Sequence, residues 1–162
     1  MFEVRLIKTN SIIPAAEELL NGGQRVRITV TGMSMYPFLR GNKDRVELVR
    51  TNFSEIKRGD IVLAVRENKQ YVLHRVIKKK KNYVYINGDA QQWCEGPIYP
   101  EQIIARVIAI WRLDNCIPCS GKGWKALTSF WRILFPFRYL IIKSYRQMRK
   151  VLSIAKFGRK LT

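Results

Sequence analysis

The chain has 162 residues, 47% of them hydrophobic and 26% charged, enough for one domain with a sizeable core plus an appendage. Lys and Arg outnumber Asp and Glu 30 to 12, a net charge of +18 that predicts an anionic partner, either nucleic acid or an anionic lipid surface. Three cysteines argue against a complete disulfide framework. The N-terminus lacks the basic start and long apolar run of a secretory signal, and no stretch of about 20 apolar residues precedes Ser34 to form a transmembrane helix.

In chain order, residues 11–21 read as a short helix. Ser11 is its candidate cap, Pro14 suits its first turn, and Gly22-Gly23 ends it. Strand signals follow in series. Val26, Ile28 and Val30 alternate with Arg25, Arg27 and Thr29, the pattern of a half-buried strand. Residues 44–50, 60–66, 71–77, 83–87 and 103–112 are each short, rich in β-branched or aromatic residues, and bounded by polar or Gly-containing turns. Six strands without intervening helices predict a mainly β, antiparallel core. Lys78–Lys81 falls where a hairpin turn is expected and reads as a solvated turn. A nucleic-acid reader would need aromatic or base-reading side chains beside it, so nucleic acid is the less favoured partner.

Residues 113–123 cluster Asp114, Asn115, Pro118, Ser120, Gly121 and Gly123 and read as a linker. This divides the chain into a main domain at 1–112 and a helical tail at 124–162. Cys116 and Cys119 sit at C-x-x-C spacing inside the linker. With only Cys94 and His74 left as further ligands, free thiols are favoured over a metal site, and no cofactor is expected. In the tail, Trp124, Leu127, Trp131 and Leu134 form one apolar stripe, and Ile141, Tyr145, Met148, Leu152 and Ala155 a second. Residues 123–162 carry ten Lys or Arg and no Asp or Glu. This is the composition of a basic amphipathic segment that lies on an anionic membrane surface as a peripheral anchor. The competing expectation is that the stripes pack on the β core.

The chemistry-bearing residues are few. Ser34 lies in Gly32-Met33-Ser34-Met35-Tyr36-Pro37, a Gly/Pro-punctuated turn straight after a strand, and His74 is the only histidine. A serine nucleophile needs a base near neutral pH, so any Ser–His chemistry here uses His74. Gly32 lets backbone N–H groups of the turn, including that of Ser34, point inward as an oxyanion hole. Asp89, at a strand-end turn, is the candidate carboxylate to orient the imidazole, with Glu95 as the open alternative.

The order of these segments resembles the type I signal peptidase family, in the Ser–His branch typical of archaea and the endoplasmic reticulum. Ser34-Met35-Tyr36-Pro37 matches its Ser-Met-x-Pro box, Gly59-Asp60-Ile61-Val62 its Gly-Asp strand, His74-Arg75-Val76 its base-Arg-Val strand, and Gly88-Asp89-Ala90-Gln91 its Gly-Asp-x-Asn box. The resemblance covers residues 25–112. It implies a signal-peptidase/LexA-like β core with a short N-terminal helix and a C-terminal amphipathic helical tail. It also implies peptide-bond hydrolysis by Ser34 with His74 as base and Asp89 in support, on a leader, signal or propeptide held extended along a strand edge. Met33, Met35, Tyr36 and Pro37 are then the expected substrate contacts. Departures are Phe38 in place of a small polar residue, Gln91 in place of Asn, Asn87 in place of a frequent Lys, and no membrane anchor just ahead of the serine box. Without an export signal, the cytoplasmic face of the membrane is the expected location. Two other readings stand beside this one. A catalytically silent basic module could bind anionic lipid or nucleic acid. A self-cleaving regulator is weakened by the two dozen residues ahead of the serine strand, too few for an independent domain.

Overall fold

The computed structural model describes residues 9–138, 140–145 and 147–148. Its fold is the expected mainly antiparallel β architecture. Helix α1 (Thr9–Asn21) is followed by β1 (Val26–Thr29), β2 (Asp44–Val49), β3 (Ile61–Val65), β4 (Tyr71–Lys79), β5 (Val84–Asn87), β6 (Glu95–Ile98), β7 (Ile103–Arg112) and β8 (Asn115–Pro118), and then by α2 (Lys122–Ile133). The strands join in the order β1-β2-β7-β3-β4-β5-β6, with β8 also on β7.

The ten-residue β7 organises the sheet. It pairs with β2 along one edge, and with β3 and then β8 along the other. The side-chain period of two sorts residues between two cores on opposite faces. In β3, Ile61 and Leu63 join α1 residues Ile13 and Leu20, with Val46, Leu48 and Ile110, in the larger core. Val62 and Ala64 join Val76, Ile86 and Ile103 in the smaller one. Burial on both faces explains why β3 reads as a continuous apolar run, Ile61-Val62-Leu63-Ala64-Val65.

The structure corrects the sequence reading in several places. Among the described residues there are eight strands, not six. The 113–123 segment is a tight turn and strand β8 pairing with β7, followed by the start of α2, rather than a linker. Helix α1 begins at Thr9, which puts Ser11 and Pro14 inside it. The lysine run is only partly a solvated turn: Lys79 Nζ donates to the carbonyls of Phe53, Ser54 and Ile56 at 2.7, 3.0 and 2.8 Å.

Helix α2 does not present Trp124, Leu127, Trp131 and Leu134 as one stripe. Trp124 packs against the larger core and Thr128 is buried, whereas Leu127, Phe130 and Ile133 face solvent, at 55, 59 and 75% exposure. In the second expected stripe, Ile141, Tyr145 and Met148 are exposed and their neighbour Ile142 is buried. Leu152 and Ala155 lie outside the described residues.

Candidate active site

The Ser34 turn is pegged into the protein by its neighbours. Met35 and Leu39 are buried in the larger core at 2 and 0% exposure. Met35 is therefore a structural anchor and not the substrate contact the sequence suggested. Met33 is 48% exposed, and Tyr36 and Pro37 are half-buried. Gly32 has φ +77°, a left-handed conformation that glycine adopts without a Cβ penalty. The carbonyl of Ser34 accepts the Ala90 N–H at 2.8 Å. A Cβ at Gly88 would stand 2.6 Å from that same carbonyl oxygen, so only glycine permits so close an approach. The Ser34 turn and the Gly88–Gln91 turn are thus stitched together through backbone. Ser34 is half-buried, and no hydrogen bond joins its Oγ to His74 among the described residues.

Strand β4 supplies the rest. Arg75, fully buried, donates from Nε and Nη2 to the two oxygens of fully buried Asp89, at 2.9 and 2.7 Å, and from Nη1 to the Gly59 carbonyl at 2.8 Å. This explains why two Gly-Asp boxes flank the His-Arg-Val strand: one supplies the Gly59 carbonyl, the other the Asp89 carboxylate. It also corrects the role expected of Asp89. With both oxygens engaged by Arg75, it does not orient the histidine.

The carboxylate beside the imidazole is Glu95, the first residue of β6. His74 is 2% exposed, with Nδ1 3.6 Å from Glu95 Oε2 and otherwise unpartnered. Glu95 is gripped in turn by Arg66, Nε to Oε1 at 2.5 Å and Nη2 to Oε2 at 2.7 Å. Burial holds the His74 pKa below its ordinary 6.5, assisted by Arg66, while Glu95 and Asp89 pull the other way. The hydrogen bond from Arg66 holds the Glu95 carboxyl below the usual glutamate value. The histidine is therefore neutral, and the carboxylate charged, at neutral pH. The sequence carries only a faint signal for this pairing, because Arg66, His74 and Glu95 belong to three different elements and no motif spans them.

Helix α2 and the residues after it close the floor beneath. Trp131 Nε1 donates to the Asp89 carbonyl at 3.1 Å, and buried Arg138 donates from Nη1 to Asn87 Oδ1 at 3.1 Å. Phe38 stacks edge-on against Trp124 and Trp131 and lies 5.3 Å from the Arg75 guanidinium. Phe38, a departure from the motif it follows, is thus what α2 docks on. The Tyr36 and Tyr145 rings approach to 5.8 Å.

Among the described residues, no group of three or more His, Cys, Asp or Glu is placed to hold a metal. Burial pushes the Cys119 thiol up to about 11, which keeps it protonated and a poor ligand at neutral pH. Also among the described residues, no helix is long and apolar enough to cross a membrane.

Comparison with known proteins agrees with this architecture. The model of the Peptidase S24-like family matches residues 3–108, which takes in the sheet as far as β7 and all of Ser34, Arg66, His74, Arg75, Asp89 and Glu95. The chain belongs to the Peptidase S24-like family, and its class is that of the serine-peptidase-type hydrolases. No curated protein matches it.

Removing one partner of a fully buried ion pair leaves an uncompensated charge and costs ~3–5 kcal/mol. Asp89→Asn is therefore expected to lower stability by that order in urea unfolding, with the Glu95→Gln protein, altered at a partly exposed carboxylate, losing far less. Equal stability of the Asp89→Asn and unaltered proteins would remove Asp89 from the role of anchor.

Proposed function

We propose that this chain is a serine endopeptidase that hydrolyses a peptide bond in an extended leader, signal or propeptide segment. In this reading Ser34 is the nucleophile, His74 the general base, and Glu95 the carboxylate that supports the base. The observation that carries it is the buried, neutral imidazole of His74 facing a charged Glu95 that Arg66 fixes in place. A structural histidine has no need of a clamped carboxylate 3.6 Å from an otherwise unpartnered ring nitrogen.

Nδ1–H faces Glu95, which leaves Nε2 as the proton acceptor. Attack requires Ser34 Oγ and Nε2 to come within about 2.6–3.2 Å when substrate closes over the turn. Ser34 Oγ then bonds to the scissile carbonyl carbon while Nε2 takes its proton, and backbone N–H groups of the Gly32–Ser34 turn stabilise the oxyanion. Nε2 returns the proton to the leaving amine, and water hydrolyses the acyl-enzyme by the reverse sequence. Glu95 stabilises the imidazolium formed in each half-reaction.

We also propose that the protein meets an anionic membrane surface peripherally through α2 and the residues after it. Leu127, Phe130, Ile133, Phe137 and Leu140 are more than half exposed, and residues 123–162, with ten Lys or Arg and no Asp or Glu, have the composition that favours an anionic surface.

Three outcomes test these readings. First, Ser34→Ala and His74→Ala remove cleavage of a peptide substrate while the thermal transition is retained. Glu95→Gln slows cleavage by roughly 10²–10⁴-fold, the scale of a general base losing its support. Unimpaired cleavage by Ser34→Ala would end the enzyme reading.

Second, the acid limb of kcat/KM lies below pH 6.5, because the folded-state pKa of His74 is lowered and the base is lost only as pH falls through it. Glu95→Gln moves that limb to still lower pH by removing the charge that favours imidazolium, and Arg66→Gln moves it up. A rate that rises only in strongly alkaline solution would exclude His74 as the base.

Third, the protein co-sediments with anionic vesicles, less so as salt rises, because each Lys or Arg near the surface contributes about 1 kcal/mol of screened attraction. The double substitution Phe130→Ser/Ile133→Ser lowers partitioning roughly tenfold or more, since each residue withdraws a side chain worth ~1.5–3 kcal/mol when buried. Unchanged partitioning would place the contact elsewhere.

A further inference from the structure

A concave site lies beside the Gly59 end of the Arg75 anchor. It is a cleft of about 530 Å³ between α2, the loop ahead of β3, and β7 with the end of β8. It contains none of Ser34, His74 or Glu95. Lys57, Arg58, Arg106, Lys125 and Arg132 line it, against one carboxylate, Asp60.

That carboxylate is already engaged. Asp60 Oδ2 accepts the Lys57 N–H at 2.8 Å and lies 3.9 Å from Arg106 Nη1. Arg106 Nε is buried with no hydrogen-bond partner. Arg132 lies over the bare backbone of Gly59, its Nη1 3.6 Å from where a Cβ would stand. Burial above all, with the neighbouring Arg58 and Arg75, lowers the Arg132 pKa, while Asp89 opposes the shift. Among the described residues Lys57, Arg58, Lys125 and Arg132 form no ion pair. Folding has therefore gathered repelling charges around a cavity, an arrangement that a polyanion relieves.

We propose that this cleft binds a soluble small molecule bearing a diphosphate group, held by the Lys57 ammonium and the forked guanidinium donors of Arg58, Arg106 and Arg132, with its organic part against Trp124. Guanidinium forks match phosphate oxygens pairwise. Orthophosphate alone would leave most of the volume unfilled, whereas about 300–1,000 Å³ is the range of sites for small organic ligands.

The same phosphate chemistry occurs in lipid headgroups, and the helix geometry separates the two sources. At roughly 100° per residue, Lys125, Ser129 and Arg132 share the cleft face of α2. Leu127 and Phe130 point about half a turn away from it. A bilayer under those apolar residues leaves the cleft opening away from the lipid.

The test is calorimetric titration of the full chain with inorganic pyrophosphate at physiological salt, carried out on the Ser34→Ala protein so that the result stands independently of peptidase activity. One-to-one binding is expected. Lys57→Gln and Arg132→Gln each weaken it about tenfold, the scale of one lost charge-assisted contact, while Lys80→Gln, an equal charge change on the exposed β4–β5 turn, leaves it unaltered.

No saturable binding, or equal weakening by Lys80→Gln, overturns the proposal in favour of diffuse attraction to a +18 protein. In a parallel arm with phosphatidylglycerol vesicles, Lys57→Gln and Arg132→Gln leave partitioning near that of Lys80→Gln. Vesicle binding that falls selectively with the two cleft variants and is displaced by pyrophosphate would assign the cleft to lipid headgroups and overturn the soluble ligand.

Discussion

The buried ion pair of Arg75 and Asp89 is the constraint around which the candidate site is assembled. Burying two charges carries a desolvation penalty of several kcal/mol per ion, which mutual attraction offsets only when the geometry is bidentate and the remaining donors are satisfied. Both conditions hold. Two nitrogens of Arg75 meet two oxygens of Asp89, the third donates to Gly59, and the face of the guanidinium lies near Phe38. Each of those partners fixes a different segment. Gly59 is the approach to β3, Asp89 is the turn that receives the Ser34 carbonyl, and Phe38 ends the serine turn and receives Trp124 and Trp131. One side chain therefore ties the Ser34 turn, the Gly-Asp strand and α2 to a single point on β4.

The alternation of β4 divides two jobs between adjacent residues. Leu73 faces the larger core, and Val72 and Val76 the smaller, so Arg75 projects on the first side and His74 on the second. Anchoring is thereby kept apart from the His74–Glu95 contact. Arg75 is paired with Asp89, while His74, one residue away, faces Glu95. Arg66 reinforces the separation by holding Glu95 ionised and by disfavouring imidazolium, which favours the neutral form of His74.

The sequence made the fold legible where period and composition agree, as in the alternating β2 and the β-branched β3, β4 and β7. It hid β6 and β8 for a common reason. Glu95-Gly96-Pro97-Ile98 and Asn115-Cys116-Ile117-Pro118 carry turn residues at strand positions, and both strands are paired on one side only, where a missing proline N–H costs nothing in the ladder. Losing β6 also hid the role of Glu95, because the register of β5 with β6, Ile86 opposite Glu95, is what carries that carboxylate toward β4. The motifs brought out Ser34, His74 and Asp89, and the Ser34 and Asp89 turns are joined through the Ala90–Ser34 backbone bond. They did not say which carboxylate faces the imidazole, since that depends on which side of β4 each residue projects. The apolar period of α2 was visible too, but a wheel of Trp, Leu and Phe does not reveal which third of it finds Phe38.

Charge placement gives α2 its particular character. Asp44, Glu47, Asp60, Asp89 and Glu95 are each matched by arginine within the sheet and its loops. Helix α2 then arrives bearing cations toward a surface whose nearby acids are already engaged. What holds it there is aromatic contact with Phe38, the Trp131 bond to a carbonyl and the Arg138 bond to an amide, none of them an ion pair. Attraction at short range thus works against repulsion among Arg58, Arg75 and Arg132. Because the opposing force is electrostatic and partly exposed, it weakens with screening or with a bound anion, whereas the aromatic contacts do not. Screening or a bound anion therefore favours the docking of α2 on the Asp89 turn, whose Ala90 N–H holds the Ser34 carbonyl.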